Sequence, residues 1–94
     1  MDKFKVARMA IASIDEQIAE LFEKRMEAIK DIADYKKEHN LPIFDAQREK
    51  ELLTKNSEYI SNKNYILYYQ QFQQNMMNIS KDYQEELINY MEDK

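Results

Sequence analysis

The sequence predicts an all-helical fold of three helices, of which the first is very long, the second short and the third long. Two observations support this prediction. The 94 residues include no glycine and one proline, Pro42, so little in the composition interrupts a helix. Apolar residues also recur at spacings of three and four over two long stretches, which is the period of an amphipathic helix. A chain of this length suits one domain, and we expect it to span residues 1–94.

The first helix is predicted to run from about Lys3 to His39. Its apolar stripe comprises Ile11, Ile14, Ile18, Leu21, Phe22, Ile29 and Ile32. At a rise of about 1.5 Å per residue the helix exceeds about 50 Å, whereas a compact chain of this size has a diameter of about 26 Å. The rest of the chain is too short to cover the whole stripe, so we expect its free end to pack on a second copy of the chain. The alternative is a solvated helix end or a lone coiled coil.

Residues 39–44 form the connection to the second helix, and Pro42 is placed to end the first helix there. Asp45 can cap the second helix, which is predicted to end at about Tyr59. A third helix follows and carries an apolar stripe that we predict to face the core. The stripe comprises Tyr65, Tyr69, Phe72, Met76, Ile79, Tyr83, Leu87 and Tyr90.

Composition and charge exclude several classes of function. The chain has no cysteine, which excludes disulfides and thiolate metal sites and favours a cytoplasmic protein. Without glycine, the phosphate-binding loops of P-loop and dinucleotide-binding enzymes cannot be built. The net charge of −4, with no basic stripe, argues against nucleic acid as a partner. No segment is apolar enough for a signal peptide or a membrane span.

Arg25 and Lys36 are the first candidates for a binding site. They are eleven positions apart, so on a helix they project within about 20° of each other, on the same face as the apolar stripe. Two cations in an apolar stripe are costly unless an anion meets them, which indicates an anion-binding site. The alternative is that each pairs with a carboxylate of the chain, such as Glu49 or Asp45.

The chain has eleven lysines but only three arginines, which are Arg8, Arg25 and Arg48. A guanidinium can bind a carboxylate at two points. The small number of arginines therefore suggests that each is placed where this two-point geometry is needed. Arg8 lies about 25 Å along the helix from Arg25, too far to serve the same pocket within one chain, although it can reach a partner's pocket in a dimer. The alternative is that Arg8 merely lies on the surface near a flexible end.

Ser80 and Gln84 are one turn apart on the third helix, beside its main apolar stripe. Both side chains can form hydrogen bonds with a ligand held against that edge. Taken alone they are weak evidence, because serine and glutamine beside a core stripe are usually boundary residues.

The sequence resembles the AroQ chorismate mutase family over nearly its whole length, with the family's motifs in the same order. Residues 8–15 (RMAIASID) are similar to the family's helix start, and residues 21–25 (LFEKR) to its Leu-Leu-x-x-Arg. Lys36 and residues 42–49 (PIFDAQRE) resemble its lysine and its Pro-Ile-x-Asp-x-x-Arg-Glu block. Residues 80–84 (SKDYQ) resemble its Ser-x-x-x-Gln. The ordered set is far more specific than any one motif.

This resemblance implies an intertwined homodimer that converts chorismate to prephenate in phenylalanine and tyrosine biosynthesis, with no cofactor and no metal. It implies that Arg8 of one subunit and Arg25 of the other bind the two substrate carboxylates, assisted by Ser80. Lys36 and Gln84 are then the donors to the ether oxygen. The resemblance also implies that Glu49 and the Asp45 backbone bind the ring hydroxyl and that Arg48 orients that end of the pocket.

Three other readings stay open at the level of sequence. Isochorismate pyruvate lyases use a similar cationic pocket for a related substrate. A regulatory module could keep the pocket and sense chorismate or an aromatic amino acid. A helical interaction protein without a small-molecule site would leave Arg25 and Lys36 unexplained. Met1 at the start and the charged residues 92–94 at the end favour a free-standing enzyme over a fragment of a longer chain.

Overall fold

The computed structural model describes residues 2–90, and for Tyr90 it describes the backbone alone; Met1 and residues 91–94 lie outside the described residues. The described part is all-helical and contains no strand, which confirms the predicted fold class at this level. Helix α1 spans Lys3–Glu38, α2 spans Ala46–Ser57 and α3 spans Ile66–Glu85. A 3₁₀ turn (Lys63–Tyr65) leads into α3, and a π-helical segment (Glu86–Tyr90) continues from it. None of the described helices has the length and apolar composition needed to cross a membrane.

The helix ends follow from local hydrogen bonding. Asp2 caps α1 by accepting a hydrogen bond from the Lys5 backbone N–H at 2.9 Å. At the other end Asn40 takes a left-handed conformation, with φ of 54°. The Leu41 N–H then donates to the Lys36 carbonyl, and the Asn40 N–H to the Lys37 carbonyl, which is a Schellman ending. The helix therefore stops at its own cap, two residues before Pro42 prevents its continuation.

Helix α3 holds the fold together, because it packs against both α1 and α2 while the π-helical segment packs against α1. The buried side chains of α1 are Ile29 and Ala33, and those of α3 are Gln73, Met77 and Gln84. These residues repeat every four or seven positions, so each helix buries one stripe. All of them lie on the C-terminal half of α1 or on α3.

The N-terminal part of α1 extends beyond the rest of the chain. Every side chain from residue 3 to residue 24 is exposed, including the apolar residues Ile14, Ile18 and Leu21. The molecule accordingly measures 56 Å along its longest axis, with a radius of gyration of 16.9 Å, whereas a compact chain of this length has a radius of about 12 Å. The long apolar stripe of α1 is thus only partly covered by its own chain.

The prediction that the apolar stripe of α3 faces the core holds only in part for the single chain, in which Tyr69, Met76, Tyr83 and Leu87 are partly buried. Tyr65, Phe72 and Ile79 are exposed, while Gln73 and Met77, one position further round the helix, are buried. Phe72, Met76 and Ile79 line an apolar groove between α3 and α1 that the chain itself leaves open. The groove has a volume of about 320 Å³ and is lined by Ile18, Leu21, Phe22, Arg25, Phe72, Asn75, Met76 and Ile79.

Candidate functional site

A cavity of about 410 Å³ lies between the C-terminal half of α1, the start of α2 and the C-terminal half of α3. Its volume is in the range of small-molecule sites. Four cationic side chains and two acidic ones line it, so the chemistry of the walls favours an anion. The lining residues are Arg25, Ala28, Ile29, Ile32, Lys36, Ile43, Asp45, Arg48, Glu49, Leu52, Met77, Ser80, Lys81 and Gln84.

Arg25 and Lys36 enter the cavity from α1, and both are half-buried. Lys36 Nζ donates to the backbone carbonyl of Ile43 at 2.8 Å, and Arg25 Nη1 donates to the carbonyl of Met76 at 3.3 Å. Within residues 2–90 neither cation lies within 4.0 Å of a carboxylate oxygen. The alternative in which each pairs with a carboxylate of the chain is therefore wrong for the described residues. Both positive charges are therefore without an anionic partner among the described residues.

The two acidic side chains of the cavity already have partners. Asp45 caps α2 by accepting a hydrogen bond from the Arg48 N–H at 3.0 Å, which confirms its predicted capping role. Glu49 lies 3.0 Å from Lys81 Nζ through Oε2 and accepts from Gln74 Nε2 through Oε1 at 3.2 Å. Both carboxylates thus bind groups of α2 and α3 rather than the cations of α1.

Ser80 and Gln84 face the cavity from α3. Gln84 Nε2 donates to Ser80 Oγ at 3.0 Å, which fixes the two side chains relative to each other. Gln84 is only 4% exposed, and its Oε1 has no hydrogen-bond partner in the described part of the chain. An unpartnered buried polar atom is costly, so this oxygen needs a donor such as a ligand or a water molecule.

Seven of the eight residues predicted from the sequence line this one cavity, and Arg8 does not. Arg8 lies on the exposed, N-terminal part of α1, with its guanidinium 4.4 Å from the centre of the Phe4 ring. Arg25 lines both the cavity and the apolar groove. The groove therefore opens directly beside the cavity.

Sequence reasoning missed one charged residue of the cavity, Lys81. It lies four positions after Met77 and three before Gln84, so helical spacing places it on the same face as those two lining residues. That spacing was available in the sequence. A lysine between Ser80 and Asp82 is nevertheless typical of a solvated surface, so the sequence alone does not single it out.

No group of three or more His, Asp or Glu side chains within residues 2–90 is arranged to hold a metal ion. Histidine is absent from the described residues that line the cavity, and the sequence has no cysteine. What the site does offer is a set of fixed N–H and ammonium donors around an apolar wall formed by Ile29, Ile32 and Met77. Such a site can bind, orient and stabilise an anionic guest.

Comparisons with known proteins agree with this description. The chain matches the family described as chorismate mutase type II over residues 7–85. It is also 37% identical over 49 residues to the T-protein of Haemophilus influenzae, a stretch that covers 52% of this chain and 13% of the T-protein. No solved structure matches the chain. Because the family match covers most of the 94 residues, the chain belongs to the chorismate mutase type II family, a family of isomerases.

Proposed function

We propose that this protein is a chorismate mutase that rearranges chorismate to prephenate. The observation that carries the proposal is the cavity in which Arg25 and Lys36 lie half-buried without a carboxylate partner in the described chain. Chorismate is a dicarboxylate, so its charge complements these side chains. Family membership supports the same reaction.

The reaction makes few chemical demands on the protein. Chorismate rearranges by a pericyclic shift, in which a carbon–oxygen bond breaks as a carbon–carbon bond forms, so neither a nucleophile nor a proton-transfer base is needed. The protein must hold the compact diaxial conformer and stabilise the charge that develops in the transition state. A cavity of fixed donors suits both tasks.

Lys36 and Gln84 are the proposed donors to the ether oxygen, where negative charge grows. The hydrogen bond from Lys36 to the Ile43 carbonyl holds the ammonium in place, and two of its three protons remain for a ligand. The Gln84 amide nitrogen carries two protons, of which one goes to Ser80 and the other is available. Both donors are thus oriented before substrate arrives, so little reorganisation accompanies the reaction.

The remaining residues are proposed to bind the ends of the substrate. Arg25 binds one carboxylate with help from Ser80, and Arg8 of the partner subunit binds the other. At the opposite end, Glu49 and the backbone of Asp45 hold the ring hydroxyl, and Arg48 orients that end. The O–H of the ring hydroxyl donates to the Glu49 carboxylate, which keeps free lone pairs beside its bonds to Lys81 and Gln74.

This arrangement requires a homodimer, and the surface area of the chain supports one. The chain exposes 7995 Å², whereas a compact monomer of 11.4 kDa exposes about 5,800 Å². The excess of about 2,200 Å² per chain corresponds to a dimer interface of the obligate class. In the dimer we propose, the partner's exposed α1 fills the apolar groove beside Arg25 and brings its Arg8 to the cavity.

Incubation of the purified protein with chorismate, followed by ultraviolet absorbance, tests the proposal. We expect the chorismate signal to disappear as prephenate forms, and a parallel incubation with isochorismate to show no comparable release of pyruvate. A protein that binds chorismate without consuming it is a binding module, and that result would refute the proposal. Turnover that persists undiminished in Arg25→Ala would refute the assignment of the site.

A further inference from the structure

Lys81 lines the cavity but has no part in the roles proposed above. Its ammonium lies 3.0 Å from Glu49 Oε2 and 4.6 Å from the centre of the Phe44 ring. The pair is partly shielded from water, since the side chain of Lys81 is 27% exposed and that of Glu49 is 16% exposed. Lys81 therefore connects α3 to both α2 and the connection that precedes it.

Glu49 is held at both of its oxygens by donors from α3. Gln74 Nε2 donates to Oε1 at 3.2 Å and also to Asn78 Oδ1 at 3.1 Å, while Lys81 lies against Oε2. Gln74 and Lys81 are seven residues apart, which is two helical turns on one face. The carboxylate is thus held between two donors on a rigid helix, and its rotation is restricted.

We propose that Lys81 is a positioning residue that fixes the Glu49 carboxylate for the hydroxyl end of the substrate. The inference rests on the proposed function, in which Glu49 accepts a hydrogen bond from the ring hydroxyl. With Lys81 in place, Oε2 presents its free lone pair to the cavity in one orientation. Without Lys81, the carboxylate is tied only through Oε1 and turns away from the hydroxyl.

The effect falls on binding more than on the chemical step. The ring hydroxyl takes no part in bond making or breaking, so its contact with Glu49 is similar in the ground state and in the transition state. An interaction of that kind changes KM and leaves kcat nearly unchanged. A lysine that only stabilised the fold would instead lower the fraction of active protein, which reduces the apparent kcat at constant KM.

Steady-state kinetics on Lys81→Met tests this proposal, because methionine keeps most of the length of the side chain and can still contact the Phe44 ring, while the ammonium is removed. We expect KM for chorismate to rise about tenfold with kcat within about threefold of wild type. Lys81→Arg restores a donor and is expected to return KM to within about threefold. Lys55, an exposed lysine of α2, supplies the matched control, and Lys55→Met is expected to behave as wild type.

A double-mutant cycle with Glu49→Gln tests whether Lys81 acts through Glu49. We expect Lys81→Met to add less than about twofold to KM in the Glu49→Gln background, because the group that it positions is already altered. An unchanged KM in Lys81→Met, or a full tenfold effect in both backgrounds, would overturn the proposal.

A crystal structure of the Lys81→Met variant separates this proposal from the proposed function. We expect the position of Glu49 Oε2 to differ from that in the wild-type protein. A Glu49 carboxylate with the same orientation beside Gln74 in both proteins would contradict the positioning role. A wild-type protein that turns over no chorismate would refute the proposed function alone. The orientation of Glu49 in that crystal structure would still decide whether Lys81 positions it.

Discussion

Replacing Lys36 by methionine is expected to lower kcat by about a hundredfold to a thousandfold. The Lys36 ammonium now lies 2.8 Å from the Ile43 carbonyl oxygen, and we take the same distance for its contact with the ether oxygen. At that distance an ether oxygen carrying about half a negative charge is stabilised by about 3 kcal/mol at an effective dielectric constant of about 20. Loss of one fixed donor at a developing oxyanion has a measured effect of about 2.7–4 kcal/mol on the barrier, which agrees.

The assay is the disappearance of chorismate under saturating substrate, with folding checked by circular dichroism. Methionine retains most of the length of the side chain, so a change in kcat reports the loss of the ammonium. Lys37, the next residue of α1, is exposed and supplies the control; Lys37→Met is expected to stay within about twofold of wild type. A Lys36→Met protein that is folded and keeps kcat within about threefold would refute the role of Lys36 at the ether oxygen.

Further predictions concern pH and assembly. The Gln84 amide does not titrate, so the rate of the wild-type protein is expected to change little between pH 5 and 8. In Gln84→Glu the carboxyl donates a hydrogen bond only when it is protonated, so activity should fall as pH rises through the pKa of that carboxyl. A steep fall for the wild type over this range would contradict the first statement. Sedimentation should give twice the mass of the 11.4 kDa chain. Leu21 lines the groove, so Leu21→Glu should produce inactive monomers. Leu67 is exposed on α3 outside the groove, so Leu67→Glu should leave the dimer intact. Equal dissociation of the two variants would show that the groove is not the interface.

Helix positions were predictable because they depend on local features of the sequence. The capping residue Asp45 and the three-and-four spacing of α1 place the first two helices within a few residues of their observed ends. The sequence favours Pro42 as the residue that ends α1, whereas the helix ends just before the left-handed Asn40. Asparagine tolerates that conformation better than most residues, but a positive φ at one asparagine leaves no periodic signal in the sequence.

The covered side of α3 was not predictable from hydrophobicity. Periodicity locates an apolar stripe, but it does not say whether that stripe meets the same chain or another one. The face that the chain itself buries includes Gln73 and Gln84, which a search for apolar residues passes over. Gln73 is accommodated because its Oε1 accepts a hydrogen bond from the Tyr69 hydroxyl at 3.1 Å.

The cavity residues of α1 were predictable because helical geometry alone places Arg25 and Lys36 on one face. Side-chain pairs between different helices were not predictable, since they depend on how α2 and α3 pack against each other. The sequence offers Glu49 as a partner for the α1 cations, yet it pairs with Lys81 on α3. Hydrogen bonds between elements of this kind need three-dimensional contacts that a single sequence does not contain.

Mixing two inactive variants tests the central claim most directly, namely that cations from two chains enclose one dianion. In a dimer of Arg8→Ala with Arg25→Ala, one cavity combines the intact Arg25 of the first chain with the intact Arg8 of the second, and the other cavity lacks both. Random pairing after joint refolding makes about half of the dimers mixed, so the activity is expected to recover to about a quarter of wild type. Recovery no greater than that of each variant alone would contradict a site shared between subunits.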